Sequence, residues 1–282
     1  MLRFNDGNCR WKCNKIRLNI FMKKISNVKV STIDKGIISV LIDDASSYNS
    51  LSSVTLKSLL TVFKNLNKDN TTKVIIIEGS GKGFSAGHNL KELKSYKKKK
   101  DYQKLFNLCS DLMMEIVDGR KPVIAKVHGS AYAAGCQLVA SCDLVLSTDD
   151  AKFATPGVNI GLFCSTPMVA VSRKVSKKTM MKMLLTGEPI DAITAKEFGL
   201  INDFYPKEKL QEEVLSLART IASKSNLTIK LGKRAFYKQA EMPLKKAYKF
   251  TSKVMTENMM AMDAKEGISA FVEKRKPNWK DK

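Results

Sequence analysis

The sequence predicts a layered α/β fold that ends in a helical region. Short apolar runs typical of buried strands alternate with segments of helical periodicity, and this strand–strand–helix order occurs at least twice by residue 147. Such alternation favours parallel pairing of the strands. From about residue 176 the pattern is almost wholly helical. Because no Pro-, Ser- or Gly-rich linker separates the two parts, we expect the helices to complete the same domain.

The first part of the chain supplies the strands of the predicted sheet. Strands are expected at residues 36–42, from Lys73 into a glycine-rich loop, at 122–127 and at 144–147. Helices are expected in the segments 51–66 and 101–117 because their apolar residues recur at helical spacing.

The second part supplies helices. The segment 187–201 has Asp191 as a plausible N-cap and Gly199 as a plausible stop. Three further stretches of helical periodicity follow, at residues 208–225, 226–239 and 244–262. We interpret the methionines of the last stretch as core or interface filling.

Length and composition restrict the class of protein. The chain has 282 residues and a net charge of +22, and its longest aliphatic block is the four residues 74–77. No run approaches the ~18 apolar residues of a membrane span, so we expect none. A basic surface attracts phosphorylated cofactors, nucleic acid or anionic lipid, although lysine-rich composition alone explains the charge equally well.

The N-terminal segment 1–27 is treated separately from the fold. Its first 24 residues contain seven Lys and Arg against the single acid Asp6, which resembles a mitochondrial presequence and predicts a location in the mitochondrial matrix. A disordered basic tail is the alternative. The six cysteines form no CxxC pair and are interpreted as free thiols, and two scattered histidines, His88 and His128, predict no metal site.

Two loops have the same form, a strand followed by small residues and then a helix. They span residues 78–93 and 128–138. Helix N-termini expose unpaired N–H groups, so two of them converging on one point would form an oxyanion hole. Alternatively, Gly and Ala merely allow close packing of strand and helix. Neither loop follows a phosphate-binding fingerprint.

Three motifs carry a resemblance to a known family. "GFSAGHNLKEL", the stretch from "KPVIAKVHGSAYAAGCQ" through "FATPGVNIGL", and the ending "EGISAFVEKRKPNW" are similar to the crotonase, or enoyl-CoA hydratase/isomerase, superfamily, and most similar to a mitochondrial branch of it. The similarity extends from about residue 28 to 280. It implies a spiral of ββα units over 28–200 and a C-terminal helical region over 201–282 that forms a trimer or a dimer of trimers.

The resemblance also implies a site. The family binds acyl-CoA thioesters and stabilises an enolate with two backbone N–H groups, which match His88 and Ala134. Coenzyme A enters as part of that ligand and no tightly bound cofactor is expected. The residues implied in holding it are Ala86, Leu90, Phe271 and Lys274, the last two reaching a neighbouring subunit.

The sequence departs from the family at both acids of the hydratases. The two positions hold Gln137 and Gly157, and neither can exchange protons at neutral pH. Ordinary 2-enoyl-CoA hydration, and isomerisation that needs a base, are therefore in doubt. Groups that could replace the acids are His88, Cys164, Asn159 and Tyr132, although Cys164 is equally read as a small apolar filler and the His88 side chain as a polar wall of the acyl pocket.

Three functions remain in competition. The first is an acyl-CoA enzyme of mitochondrial lipid metabolism, a lyase whose chemistry needs an enolate but not the two acids. "SAGH", residues 85–88, also occurs in methylmalonyl-CoA decarboxylase-like members. The second is a non-catalytic acyl-CoA binder. The third, a nucleic-acid binder, is motivated by charge alone, because no RNA-binding motif is present.

Overall fold

The computed structural model describes residues 23–282, so most of the predicted presequence lies outside the described residues. In this part of the chain ten strands form two sheets. In chain order the strands are β1 (Lys23–Ile25), β2 (Val28–Asp34), β3 (Ile37–Ile42), β4 (Val74–Gly79), β5 (Val123–Val127), β6 (Ser130–Tyr132), β7 (Leu144–Thr148), β8 (Lys152–Ala154), β9 (Ile190–Asp191) and β10 (Asp203–Tyr205). The first strand begins before residue 28, where the sequence placed the start of the core.

The larger sheet confirms the predicted parallel pairing. Its order is β1-β2-β3-β4-β5-β7-β10, and β6-β8-β9 form the smaller sheet. The strands from β3 to β10 in the larger sheet run parallel, so that Ile38, Ile75 and Val123 lie side by side. β1, β2 and β3 pair antiparallel. The sequence did not predict β1, β2 and four strands of two or three residues. Strands of two or three residues are too short to show a period-two pattern, whereas β2 has seven residues.

Eleven α-helices are present among residues 23–282. They are α1 (Ser53–Lys68), α2 (Leu90–Ser95), α3 (Lys99–Val117), α4 (Ala134–Ser141), α5 (Pro167–Val171), α6 (Lys177–Thr186), α7 (Ala192–Glu197), α8 (Lys207–Ala222), α9 (Asn226–Ala240), α10 (Leu244–Met259) and α11 (Met262–Val272). Every helix that the periodicity predicted is found. Within the same residues, none of the helices combines the length and the apolar character needed to cross a bilayer.

The predicted ends of α7 are confirmed. The Asp191 carboxylate accepts a hydrogen bond from the N–H of Thr194 at 2.9 Å, which caps the helix. Gly199 has φ +81°, a conformation that ends the helix and favours glycine.

The larger sheet has a core on each face. The main cluster includes Leu56 and Phe63 of α1 and Leu112 of α3, packed against Ile75 and Ile77 of β4. The second cluster packs a stripe of α8 against the opposite face, where Ile76 and Ile124 point. Side chains alternate between faces along a strand, which is why consecutive residues of β4 belong to different clusters.

A buried ion pair ties the C-terminal helices to this core. Nζ of Lys233 on α9 lies 2.7 Å from Oδ2 of Asp143 and donates to the carbonyls of Ile116 and Lys121, each at 2.8 Å. The hydroxyl of Tyr237 donates to the other oxygen of Asp143 at 2.9 Å. These bonds tie α9 to the end of α3 and to the residues that flank β5 and β7.

Candidate active site

The glycine-rich loop after β4 is held in shape by side chains that the sequence did not single out. Nδ2 of Asn49 donates to the carbonyls of Ser80 and Gly83 at 2.7 and 2.8 Å. Oγ of Ser85 donates to the Asn49 carbonyl at 2.9 Å and accepts from the N–H of Gly87 at 3.2 Å. Asn49 lies thirty residues before this loop, so only the folded chain shows that it shapes it.

The second loop joins β6 to α4 through an unusual turn. Ala133 is the N-cap of α4 and has φ +48°, ψ −117°, and its side chain caps no N–H group. The N–H of Ala134 at the start of the helix donates to no acceptor within residues 23–282. An uncapped helix start offers its N–H groups to a ligand oxygen.

The two loops meet. The N–H of Tyr132 donates to the Ser85 carbonyl at 2.9 Å, and a Cβ atom added to Gly87 would lie 3.0 Å from the amide nitrogen of Ala134. The N–H of His88, which directly follows Gly87, also has no acceptor in the described chain. Two unpaired N–H groups are therefore neighbours across Gly87.

Gln137 lies one turn further along α4 and is only 4% exposed. Its Oε1 accepts a weak hydrogen bond from Sγ of Cys109 at 3.9 Å. Burial raises the pKa of the Cys109 thiol to about 12, so this partner also stays uncharged at neutral pH. The first position of the hydratase acids is thus occupied by a neutral pair.

At the second position the space for a side chain is taken. The N–H of Gly157 donates to Sγ of Cys164 at 3.3 Å. A Cβ atom at Gly157 would lie 2.5 Å from the Leu162 carbonyl oxygen and 2.8 Å from Sγ of Cys164. Burial raises the pKa of Cys164, which holds the group as a thiol. These contacts favour the interpretation of Cys164 as a small apolar residue that fills space.

The His88 side chain contacts Leu51 and Phe106. Its Nδ1 lies 3.2 Å from the Leu51 carbonyl, which accepts a hydrogen bond from it, and its ring packs edge-on against Phe106 at 5.4 Å. Nε2 is buried and has no partner among the described residues. Burial lowers the pKa of His88 and favours the neutral ring, whose bare Nε2 is sealed from solvent. A sealed nitrogen is poorly placed to exchange protons with a substrate.

The remaining replacement candidates are Asn159 and Tyr132. Asn159 is exposed and its amide packs against Gly187. Tyr132 is half-buried in β6 and contributes its backbone to the junction of the loops.

The residues implied in coenzyme A binding fall into two groups. Ala86 and Leu90 are exposed on either side of His88. Phe271, 85% exposed, and Lys274 lie at the end of α11, and no hydrogen bond or ion pair joins them to Ala86 or Leu90 within the part of the chain described.

Replacing Ala133 by glycine is expected to raise the free energy of unfolding by about 1 kcal/mol. A φ of +48° strains a residue with a Cβ atom by about 1–3 kcal/mol, and glycine relieves that strain. The greater conformational entropy that glycine loses on folding offsets part of the gain. Urea unfolding followed by circular dichroism measures the change. Ala134→Gly, one residue later and inside α4, is the matched control and should destabilise. Equal destabilisation by both changes would show that the turn at Ala133 carries no strain.

The buried His88 is expected to make the fold less stable in mild acid. Its pKa is lowered in the folded chain, so below the ordinary value near 6.5 the unfolded chain takes up a proton first. The contribution of His88 to the free energy of unfolding is therefore fully present above that pH. Below it, this contribution falls by at most about 1.4 kcal/mol per pH unit until the folded-state pKa is reached. Urea midpoints between neutral pH and pH about 5 should fall less in His88→Phe than in the parent. An equal fall of the urea midpoint with pH in the parent and in His88→Phe would contradict this expectation.

Comparison with known proteins places the chain in a family. The profile of the family described as "Enoyl-CoA hydratase/isomerase" matches residues 32–282. The chain belongs to the enoyl-CoA hydratase/isomerase family. This confirms the resemblance inferred from the sequence motifs and the crotonase fold that the resemblance implies.

Curated relatives and solved structures support the same family assignment. Enoyl-CoA hydratase domain-containing protein 3, mitochondrial, of Homo sapiens is 47% identical over 86% of this chain and 80% of its own length. Enoyl-CoA hydratase, mitochondrial, of Pongo abelii is 34% identical over 83% of this chain and 80% of its own length. The crystal structure of the human domain-containing protein 3 is 46% identical, with a TM-score of 0.87, and covers 90% of this chain and 100% of that one.

Proposed function

We propose that this member of the enoyl-CoA hydratase/isomerase family binds acyl-CoA thioesters and polarises the thioester oxygen between the N–H groups of His88 and Ala134, without hydrating 2-enoyl-CoA. The observation that carries the proposal is the pair of unpaired N–H groups of His88 and Ala134 that lie near each other beside Gly87. Each such donor is worth ~3 kcal/mol towards a developing oxyanion.

The surroundings of the two amides argue against hydration. A hydratase needs groups that hold water and exchange its protons, and such groups typically contribute a factor of about 10²–10⁴. Here the Gln137 and Cys109 pair is neutral, and the position of Gly157 is closed by Leu162 and Cys164. The arrangement supports enolate stabilisation and does not support acid–base work on water.

A decarboxylating lyase is a second candidate because it forms the enolate without a base. In such a reaction the electron pair of the bond to the carboxylate moves to the α-carbon and the thioester oxygen, carbon dioxide leaves, and water later supplies the proton. Only the oxyanion must be stabilised. Two free N–H groups beside the neutral Gln137 and the closed position of Gly157 suit this sequence of steps. A non-catalytic acyl-CoA binder is the alternative if no bond is broken.

For coenzyme A we propose the exposed main chain at Ala86 and Leu90, with Phe271 and Lys274 of a second copy. The motivation is the strongly apolar surface of the last helices, where Leu244, Tyr248, Met260, Phe271 and Val272 are each more than 70% exposed. A homotrimer or a dimer of trimers would cover these side chains. Because the similar relatives are named mitochondrial, we place the protein in the mitochondrial matrix.

The test combines binding, exchange and turnover on the full protein. Titration with butanoyl-CoA measures affinity, and incubation of methylmalonyl-CoA in deuterated water with detection of label at the α-carbon of the product reports the enolate formed by decarboxylation. Crotonyl-CoA tests hydration, and methylmalonyl-CoA tests decarboxylation. We expect binding together with decarboxylation, and no hydration. Hydration at a rate typical of the family, or failure to bind any thioester, would overturn the proposal; binding alone would support the binder.

A further inference from the structure

The last helix ends in a turn whose central position normally holds glycine. After α11, Lys274 has φ +53° and its N–H donates to the Phe271 carbonyl at 3.2 Å, while the N–H of Arg275 donates to the Ala270 carbonyl at 2.9 Å. These two hydrogen bonds form a Schellman motif, in which the left-handed residue is usually glycine because a Cβ atom is strained there. A strained residue of this kind persists only where its surroundings hold it, and such residues cluster at functional sites.

The Lys274 side chain is available to a ligand. It is exposed, and its ammonium forms no ion pair or hydrogen bond with any residue between 23 and 282. The neighbouring carboxylate is already engaged, since Oε2 of Glu273 lies 2.6 Å from Nε of Arg275. The positive charge of Lys274 is therefore not used by the folded chain itself.

Glu266, on α11, fixes the residue that follows Lys274. Its two carboxylate oxygens accept hydrogen bonds from Nη1 and Nη2 of Arg275 at 2.7 and 3.0 Å, a bidentate pair that is both strong and directional. Its Oε1 also accepts from the N–H of Asn278 at 2.7 Å. The Arg275 bonds, followed by that of Asn278, lower the pKa of Glu266 to about 2, so the carboxylate is ionised at neutral pH.

The chain beyond this pair is anchored as well. Nε1 of Trp279 donates to the carbonyl of Ser223, at the end of α8, at 2.8 Å. Its ring packs against Gly267 of α11, where an added Cβ atom would lie 3.1 Å away. The main chain is thus held on both sides of Lys274, which explains how a lysine is kept in the left-handed conformation.

We propose that Glu266 and Arg275 are positioning residues that hold Lys274 in this turn and present its ammonium to the phosphates of coenzyme A. The inference rests on the proposed function, which assigns Lys274 to that ligand and gives Glu266 and Arg275 no role. Only Lys274 contacts the ligand. A turn that is fixed in advance leaves less chain to be ordered when the ligand binds, so the same charge contributes more to affinity.

Glu266→Gln tests the positioning role in the full protein. The variant keeps the size of the side chain and loses the charge, and its amide group cannot accept the second hydrogen bond of Arg275. Butanoyl-CoA and butanoyl-pantetheine, which lacks every phosphate, are titrated calorimetrically. We expect Kd for butanoyl-CoA to rise by about threefold, within the range of one exposed ion pair, and Kd for butanoyl-pantetheine to stay the same. Equal weakening of both ligands, or of neither, would overturn the inference.

Asp203→Asn is the matched control. It removes an ion pair of similar exposure on β10, where Oδ1 of Asp203 lies 2.7 Å from Nζ of Lys196. Neither affinity should change in this variant. A loss of butanoyl-CoA affinity equal to that of Glu266→Gln would show that any lost ion pair has the same effect, and would overturn the positioning role.

Lys274→Gly separates the strain of the turn from its use. Glycine adopts φ +53° freely, so the urea midpoint should rise, while Kd for butanoyl-CoA should rise by about fivefold. Adding Glu266→Gln to Lys274→Gly should weaken binding no further, because the carboxylate acts through the ammonium.

The outcomes distinguish the inference from the proposed function. If Lys274→Gly weakens butanoyl-CoA binding and Glu266→Gln does not, or if the double variant binds more weakly than Lys274→Gly, the positioning role is wrong and the proposed function stands. If Lys274→Gly binds butanoyl-CoA as tightly as the parent, the assignment of Lys274 to coenzyme A fails together with the inference. Failure of the parent to bind any thioester would overturn the proposed function itself.

Discussion

Gly87→Ala is expected to lower the rate of decarboxylation of a bound thioester by about 10²–10³, the loss typical of one oxyanion donor. The new methyl group would lie 2.9 Å from Cβ of Ala133 and 3.0 Å from the amide nitrogen of Ala134. It would therefore occupy the position where the thioester oxygen meets the two donors, or force the loops apart. Either result removes the geometry on which the proposed function depends.

The backbone strain of Gly87→Ala must be separated from its effect on the site, because Gly87 has φ +91°. Gly199→Ala is the matched control, since Gly199 has φ +81° and its added Cβ meets only the Lys174 carbonyl at 3.2 Å. Both variants should lose about 1 kcal/mol or more of stability, and only Gly87→Ala should lose the reaction. The thioester carbonyl stretch in difference infrared spectra gives an independent readout. A shift as large in Gly87→Ala as in the parent would refute the role of these amides.

Restoring the two hydratase acids is expected to fail. In the double variant Gln137→Glu, Gly157→Glu, the second side chain must displace the Leu162 carbonyl, which lies 2.5 Å from its Cβ position, and Sγ of Cys164 at 2.8 Å. We expect crotonyl-CoA hydration to stay at least about 10² below a hydratase, because the second acid cannot reach its working position. The overpacked loop should also cost about 1–3 kcal/mol of stability.

Two further variants show which part fails. Gln137→Glu alone should fold, because glutamate has nearly the same volume as glutamine. Adding Cys164→Ala to the double variant removes the thiol beside Gly157 and should recover part of the stability, although the Leu162 carbonyl stays in place. Rapid hydration by the double variant would mean that the loop 157–164 yields easily and that the closed position is not a barrier.

The sequence predicted the fold well where a periodic or capping pattern extends over a whole strand or helix. The strand after Lys73, the helix spanning Leu56 and Phe63, and the ends of α7 at Asp191 and Gly199 depend on local periodicity and capping, and all are found. The short strands of the smaller sheet were missed because two or three residues carry no period.

The candidate site was predicted in part. The two loops and the lack of acids at Gln137 and Gly157 can be read from residue types. The Leu162 carbonyl beside Gly157, the Asn49 amide that shapes the first loop and the thiol of Cys109 beside Gln137 cannot, because each contact joins residues through the folded backbone. The direction of the His88 ring likewise depends on Leu51 and Phe106, far away in sequence.

The bonds of Lys233 have a consequence for how the molecule comes apart. One nitrogen on α9 holds the carbonyls of Ile116 and Lys121 and the carboxylate of Asp143, so α9 cannot detach without stranding a buried charge and three acceptors. Partial opening that frees only the helical region is therefore costly. In native-state hydrogen exchange the amides of α9 should share the protection of β5 and β7 and open with them as one cooperative unit.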